Sequence, residues 1–415
     1  MKPARSLLAI HFRDWIRAAY TFVGLWLLRQ AVAWPLRLSV LTRRLGLAVP
    51  PPTTPPPIGA MGPARRAGRD TRDQWLAIFP EARLARPTAR TLAAVQGPWP
   101  LHRYANRVCA PIYVAGLTNA QFHGPAHDIF DASGRSLPGL SFYSPENRLA
   151  ESREYARRYP HGLPAAEHWP GVTAALASRY ADSNYFHWMI QVLPRFELLR
   201  RAGVTHAQVD RYLLHTARYT FHGETLAHLR VPPEKVVAVE PDTHMRADYL
   251  WATTSLRGSG HQCAWVADFL RREFLPSPAA SVGRERLYIS RGDATRRRLV
   301  NEPELLAWLE RHGFRSITPG TMSVVEQARA FAGASVILGV HGATLTNLVF
   351  APAGAKVIEL HTPSRRAMHY WELSSARRLD YYYLIGQDSP DPVDKEAFLM
   401  PLPWLVALLE LAGVR

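Results

Sequence analysis

The residues that point most directly to chemistry lie in Val336-Ile337-Leu338-Gly339-Val340-His341-Gly342-Ala343-Thr344. A buried strand here is expected to run into a turn of small residues, then into a short apolar helix through Leu348. Gly339 and Gly342 let the backbone approach a ligand closely. A helix opening after such a turn presents unpaired N–H groups and partial positive charge, which suits an anion. Thr344 and Thr346 add hydroxyl donors, and His341 a titratable one. Arg291 follows the strand 286–290, where a fixed guanidinium can pair with a diphosphate in bidentate fashion. Glu359 ends the strand 356–360, where a carboxylate can accept hydrogen bonds from ribose hydroxyls. The expectation is a nucleotide-diphosphate site built from Arg291, His341, Gly342, Ala343, Thr344 and Asn347, with Glu359 on the ribose. The basic loop Arg296-Arg297-Arg298 follows Arg291, and one of its arginines is expected to reach a phosphate.

A second constellation runs from Asp182 through Arg195. On a helix, Asn184, His187 and Gln191 fall on one stripe among the apolar Phe186, Ile190, Leu193, Phe196 and Leu199. A polar stripe in an apolar helix start suits the rim of a cleft. The ordinary pKa of His187 suits proton transfer near neutrality, so it is a candidate general base for an acceptor hydroxyl. The alternative for His187 is a hydrogen-bonded core histidine.

Both segments resemble glycosyltransferase family 61, also met as a domain of capsular polysaccharide biosynthesis proteins. The resemblance rests on Asn184-Tyr185-Phe186-His187-Trp188 with Leu193-Pro194-Arg195, on Tyr288-Ile289-Ser290-Arg291, Asn301-Glu302 and Glu326-Gln327, and on His341-Gly342-Ala343 with Leu345-Thr346-Asn347 and Val357-Ile358-Glu359-Leu360, in that order. It covers about residues 100–390. It implies an enzyme that moves a sugar from a nucleotide-diphosphate donor to a glycan acceptor hydroxyl. Transfer would invert the anomeric centre, without a bound metal or other cofactor, in surface or capsular polysaccharide biosynthesis. No Asp-x-Asp is present, in agreement. Family members commonly carry an acid four residues after the motif His, where this sequence has Gln191. Glutamine cannot act as a base, so the proton falls to His187 or to an acid such as Asp182. The same departure sustains an alternative, a catalytically impaired glycan-binding or polysaccharide-assembly protein. A nucleotide-sugar epimerase or dehydrogenase would need a GxGxxG turn after an early strand, and there is none.

These residues need a scaffold. The 415 residues, 47% hydrophobic and 20% charged, suffice for two cores. Strand and helix patterns alternate from residue 101 onward. They include a helix over 184–202 closed by Gly203, and capping boxes at Asn301/Glu304 and Ser323/Glu326. The expected fold is α/β, two doubly wound Rossmann-like domains facing across a cleft (GT-B-like), with a basic helical extension. The expected boundaries are 1–47 for the extension and 48–100 for a Pro/Arg-rich linker and irregular segment. The acceptor-side domain would span 101–275 and the nucleotide-sugar domain 276–415, ending in a helix over 402–411.

The net charge of +16, almost all from arginine, reflects a GC-rich genome or an anionic partner. No nucleic-acid-binding motif is present. Cys109 and Cys263 exclude a disulfide framework and fit a reducing compartment. Residues 1–47 hold eight basic groups against one acid, with Trp15, Tyr20, Phe22, Trp26 and Trp34 among them. Their longest uncharged stretch, 18–28, is short of the roughly 20 residues that span a bilayer. It suits a helix lying on an anionic membrane surface or one packed on the catalytic body, with a true span the weakest alternative. The expected location is cytoplasmic, peripheral on the inner membrane.

Overall fold

The computed structural model describes residues 73–92, 99, 101, 105–124, 127–137, 139–141, 163–215, 218–240, 242–256, 264–275, 283–292, 296–389, 394 and 396–414. All belong to the unit Pro55–Arg415. The basic extension 1–47, the proline run 49–57 and Cys263 lie outside the described residues. Among the described residues, no helix is long and apolar enough to cross a membrane.

Two sheets carry the architecture. The first contains β1 (Gln74–Phe79), β4 (Ile112–Thr118), β5 (Gln121–His123), β6 (Asp128–Phe130), β7 (Glu167–Ala175), β8 (Arg211–Leu214), β9 (Val236–Ala238) and β10 (His244–Thr253). Its order is β1-β4-β10-β7-β8-β9, with β5 and β6 added at β10. The side from β10 to β9 is parallel; β1, β4, β5 and β6 pair antiparallel. A purely parallel, doubly wound N-terminal half is therefore not what forms. One face of the sheet is covered by the β5–β6 hairpin and by Leu137 and Leu140. A separate ribbon joins β2 (Ala82–Ala85) to β3 (Asn106–Cys109). Residues 74–85 were expected to be irregular. Residues 74–79 pair with the antiparallel edge of β4 and 82–85 with β3, although their own burial is only partial.

The second sheet is all parallel, in the order β12 (Phe314–Ile317), β11 (Glu285–Ile289), β13 (Ala334–Val340), β14 (Lys356–His361), β15 (Asp380–Ile385). This is the doubly wound order in which the winding reverses between the first and third strands, here β11 and β13. Ligands bind beyond the strand carboxyl ends at such a switch point. Alternate residues feed two cores. Tyr288, Leu338, Val340, Ile358 and Leu360 pack with the helices Glu302–Arg311 and Leu402–Leu411. Leu287, Ile289, Ile337 and Val357 face a larger cluster that continues into the first sheet through Val114, Leu176 and Leu214. The two sheets thus share one apolar core, and each has a further cluster of its own on its other face.

The same segment that supplies β2 also reaches the second sheet. Arg90 bridges Tyr382 in parallel, with Arg90 N–H to the Tyr381 carbonyl at 3.1 Å and Tyr383 N–H to the Arg90 carbonyl at 3.0 Å. A buried ion pair, Arg86 to Glu372 at 3.2 Å, fixes it there.

The motif helix runs in three pieces: α over Tyr185–His187, π over Trp188–Val192, and α over Leu193–Arg201. Asn184 caps it, its side chain accepting from Phe186 N–H at 2.9 Å, and Gly203 ends it at φ +78°. The π segment has a local cause. Pro194 lacks an N–H, and its ring would press on the Ile190 carbonyl in a regular α-helix. Widening the turn ahead of it removes the clash. Trp188, fully buried, anchors this turn by donating Nε1–H to Thr225 Oγ1 at 2.9 Å.

Of the two capping boxes, Ser323/Glu326 forms as expected. Asn301/Glu304 does not, because the Asn301 amide bonds the backbone of Met400 instead.

Candidate active site

β11 delivers Arg291 two residues beyond the strand end. Glu302, at the first turn of its helix, accepts from Tyr288 Oη (2.8 Å), Ser290 Oγ (3.0 Å) and Arg291 N–H (3.3 Å), bracing the turn. The Arg291 guanidinium lies against Gly342, so close that a Cβ at residue 342 would collide with it. Gly342 is extended at φ −175°, so the glycine gives the guanidinium room to sit against the turn rather than supplying backbone freedom. Gly342→Ala is expected to displace Arg291 and weaken nucleotide binding at least tenfold. Calorimetry on the folded variant checks this, and an unchanged affinity would show that Arg291 needs no such seat.

From Gly342 the chain enters the 3₁₀ helix Ala343–Phe350, whose first N–H groups have no partner within the helix. Ala343 and Thr344 are half-buried there. Asn347 is not at the mouth. It is fully buried, accepting from Tyr185 Oη at 2.8 Å and donating to Gln327 Oε1 at 2.6 Å. Asn347 therefore ties the two motif segments together rather than holding a phosphate. Thr346 is likewise buried, on the Ala343 carbonyl at 2.5 Å.

Glu359 also departs from expectation. β14 is covered on both faces, so its polar residues must find partners inside the protein. Glu359 is fully buried; Oε1 meets His341 Nδ1 at 2.5 Å and Oε2 accepts from Tyr381 Oη at 2.7 Å. Both oxygens are taken, so a ribose cannot use them; the carboxyl orients His341 instead. Burial raises its pKa, opposed by the charge of His361 and the Tyr381 hydroxyl. Burial, then the charges of Arg297, Arg365 and Arg291, push His341 down to about 3. The histidine is therefore neutral, and with the shared proton of the short contact on the buried Glu359 carboxyl, Nδ1 accepts and Nε2 carries an N–H donor directed away from Glu359.

Of these arginines, Arg297 belongs to the basic loop expected to send one arginine to a phosphate, and Arg365 was not singled out from the sequence. Arg297 has φ +57°, half-buried, with Nε paired only loosely to Glu396 at 3.9 Å. A non-glycine residue held in that conformation beside a desolvated guanidinium points to a functional constraint. Arg365 comes from the loop after β14. Cations from two separate loops, after β11 and after β14, thus act on one turn.

His341, Glu359 and His361 are also the one group among the described residues with ligating atoms close enough for a metal ion, all within 4.8 Å. The surrounding arginines oppose a cation there and favour an anion.

His187 stands near this turn. Phe186 packs on His369 (5.0 Å between centroids) and Tyr370 (6.0 Å), and Tyr370 on His341 (5.1 Å). The His187 ring meets Gln191 Oε1 through Nδ1 at 3.1 Å, and the same oxygen accepts from Ser178 Oγ at 2.8 Å. An amide oxygen only accepts, so Nδ1 carries the proton and Nε2 the lone pair. Gln191 is a buried positioning residue. Asp182 stands apart from this pair, accepting from Ser183 at 3.3 Å and facing Arg218 at 3.9 Å.

The turn beside these arginines lies at the switch point of a parallel, doubly wound α/β sheet. Residues 185–358 match the family model described as Glycosyltransferase 61. Over 61 residues it is 41% identical to beta-1,2-xylosyltransferase RCN11 of Oryza sativa subsp. japonica, covering 15% of this chain and 11% of that protein. The match therefore spans about a tenth of the length of that relative.

Proposed function

We propose that the protein is a glycosyltransferase moving a sugar from a nucleotide-diphosphate donor to a glycan hydroxyl, inverting the anomeric centre and independent of a metal. The observation that carries this is the convergence of Arg291, Arg297 and Arg365 on the turn 341–344, at the switch point of the second sheet. There the departing diphosphate gains the charge stabilisation a metal would otherwise give. Arg291, neutral His341, the backbone of Gly342 and Ala343, and Thr344 are the donor ligands. On the acceptor side, His187 Nε2 takes the hydroxyl proton. The acceptor oxygen then attacks the anomeric carbon as the bond to the diphosphate breaks.

The two sheets serve as donor and acceptor halves in the manner of a GT-B enzyme, and the product belongs to a surface or capsular polysaccharide. The basic, Trp-rich extension 1–47 holds the enzyme on the cytoplasmic face of the inner membrane.

A donor panel that includes a nucleotide-activated pentose, with products read by mass spectrometry, tests the reaction. Transfer that survives a chelator is expected from one donor. Gln191→Asp is expected to raise it several-fold, because a carboxylate on Nδ1 makes Nε2 more basic. Absence of any product, with glycan binding retained, would favour the impaired binding protein that Gln191 allows.

A further inference from the structure

We infer that Tyr180, Asp182, Arg218 and Tyr219 form a carbohydrate subsite that seats a pyranose of the acceptor beside His187. The inference rests on the glycosyltransferase function proposed above and adds a place for the acceptor sugar.

Tyr180 and Tyr219 are 49% and 50% exposed, two of five large hydrophobic side chains in that state among the described residues. Neither ring dangles. Tyr219 stacks on Phe221 at 5.6 Å and 5°, and Phe221 packs edge-on against Tyr185 at 5.2 Å, at the start of the motif helix. One face of the Tyr219 ring is thereby supported by a second aromatic. Tyr180 lies 5.5 Å from the His187 ring, with the Arg179 guanidinium 5.2 Å from its centroid.

The backbone under Tyr180 supplies a second argument. Its φ is +69°, a conformation that disfavours an aromatic L-residue by about 1 kcal/mol. The turn it makes is tight: its carbonyl accepts from Asn184 N–H at 3.0 Å, and Ala181 N–H reaches the Ser178 carbonyl at 3.1 Å. Glycine or asparagine would hold that turn with less strain. A tyrosine there, half in water, fits a ring kept for what it touches.

Asp182 and Arg218 complete the chemistry. At 3.9 Å, with side chains 40% and 65% exposed, they form a loose pair of little worth to stability. They leave an acceptor and a planar donor fork open to solvent between the two tyrosines in sequence. A sugar presents apolar C–H faces and vicinal hydroxyls, which match aromatic rings flanked by a carboxylate and a guanidinium. The Asp182 predicted as a base thus becomes an acceptor ligand.

The test is glycan-array binding of the full chain, followed by affinity measurement on the best ligand and nucleoside-diphosphate affinity on the same samples. Tyr180→Ala and Tyr219→Ala are expected to weaken glycan binding at least tenfold, and Tyr180→Phe to retain it. All should leave diphosphate affinity unchanged. Tyr180→Gly separates platform from scaffold: glycan binding is lost while Tm holds or rises as the turn relaxes. Glycan binding unaffected by these substitutions, no glycan bound at all, or a fall in Tm for Tyr180→Gly would each overturn the subsite. Loss of diphosphate binding in the wild type would instead overturn the proposed donor site.

Discussion

Arg291→Ala is expected to cut sugar transfer by about two to three orders of magnitude, the usual loss when one preorganised charge-stabilising donor is removed. The fold should survive. Arg291 lies outside β11, and the turn beneath it is held by Glu302 through Tyr288, Ser290 and the backbone rather than by the guanidinium. Arg291→Lys keeps the charge but loses the planar fork, so an intermediate loss is expected. Steady-state rates with saturating acceptor, alongside a melting curve, check this. A normal rate in Arg291→Ala would remove the guanidinium from the mechanism, and a collapsed fold would make it a structural residue.

The second large effect is on stability in acid. His127, His215, His222, His341 and His361 are all buried, and burial is the first cause holding each below its ordinary pKa. His341 and His361 are pushed down to about 3 and about 4. In the unfolded chain the same groups titrate near pH 6.5, so below that value the unfolded state binds more protons than the folded one. Stability should be complete above about pH 7 and fall as the pH drops toward the depressed folded values. Each histidine contributes up to about 1.4 kcal/mol per pH unit. Urea midpoints at pH 8, 7, 6 and 5 should decline steeply over the last two steps. A flat series between pH 7 and pH 5 would mean that these histidines are not kept neutral by the fold.

Much of the second half was legible from the chain. Its central strand β13 is a continuous apolar run, one helix opens at Ser323 and another closes at Gly313, so pattern and punctuation agree. The turn at 341–344 could be read as an anion site because strand, glycine and helix start follow one another in sequence. The role of Glu359 was not legible. A carboxylate near a strand end is available to a ligand only if no neighbouring strand claims it, and Tyr381 of β15 and His341 after β13 do so. Asn347 was missed for a related reason: its partners, Tyr185 and Gln327, lie 162 and 20 residues away. The first sheet was the weaker reading because half of it is antiparallel. Its edge strand β1 is only partly buried, which blurs the alternation that marks a strand. Which arginine of the loop 296–298 would matter was not legible, and Arg365 looks in sequence like a surplus arginine in an arginine-rich chain. Only the return of the loops after β11 and β14 to one turn sets them apart.

The most direct test of the donor site is calorimetric titration with a panel of nucleoside diphosphates, comparing the wild-type chain with Arg291→Ala and His341→Ala. One diphosphate should bind the wild type at a single site, with affinity at least tenfold weaker in each variant and melting temperatures little changed. Equal affinity in all three proteins, or no binding to the wild type by any member of the panel, would contradict a diphosphate site at the turn 341–344.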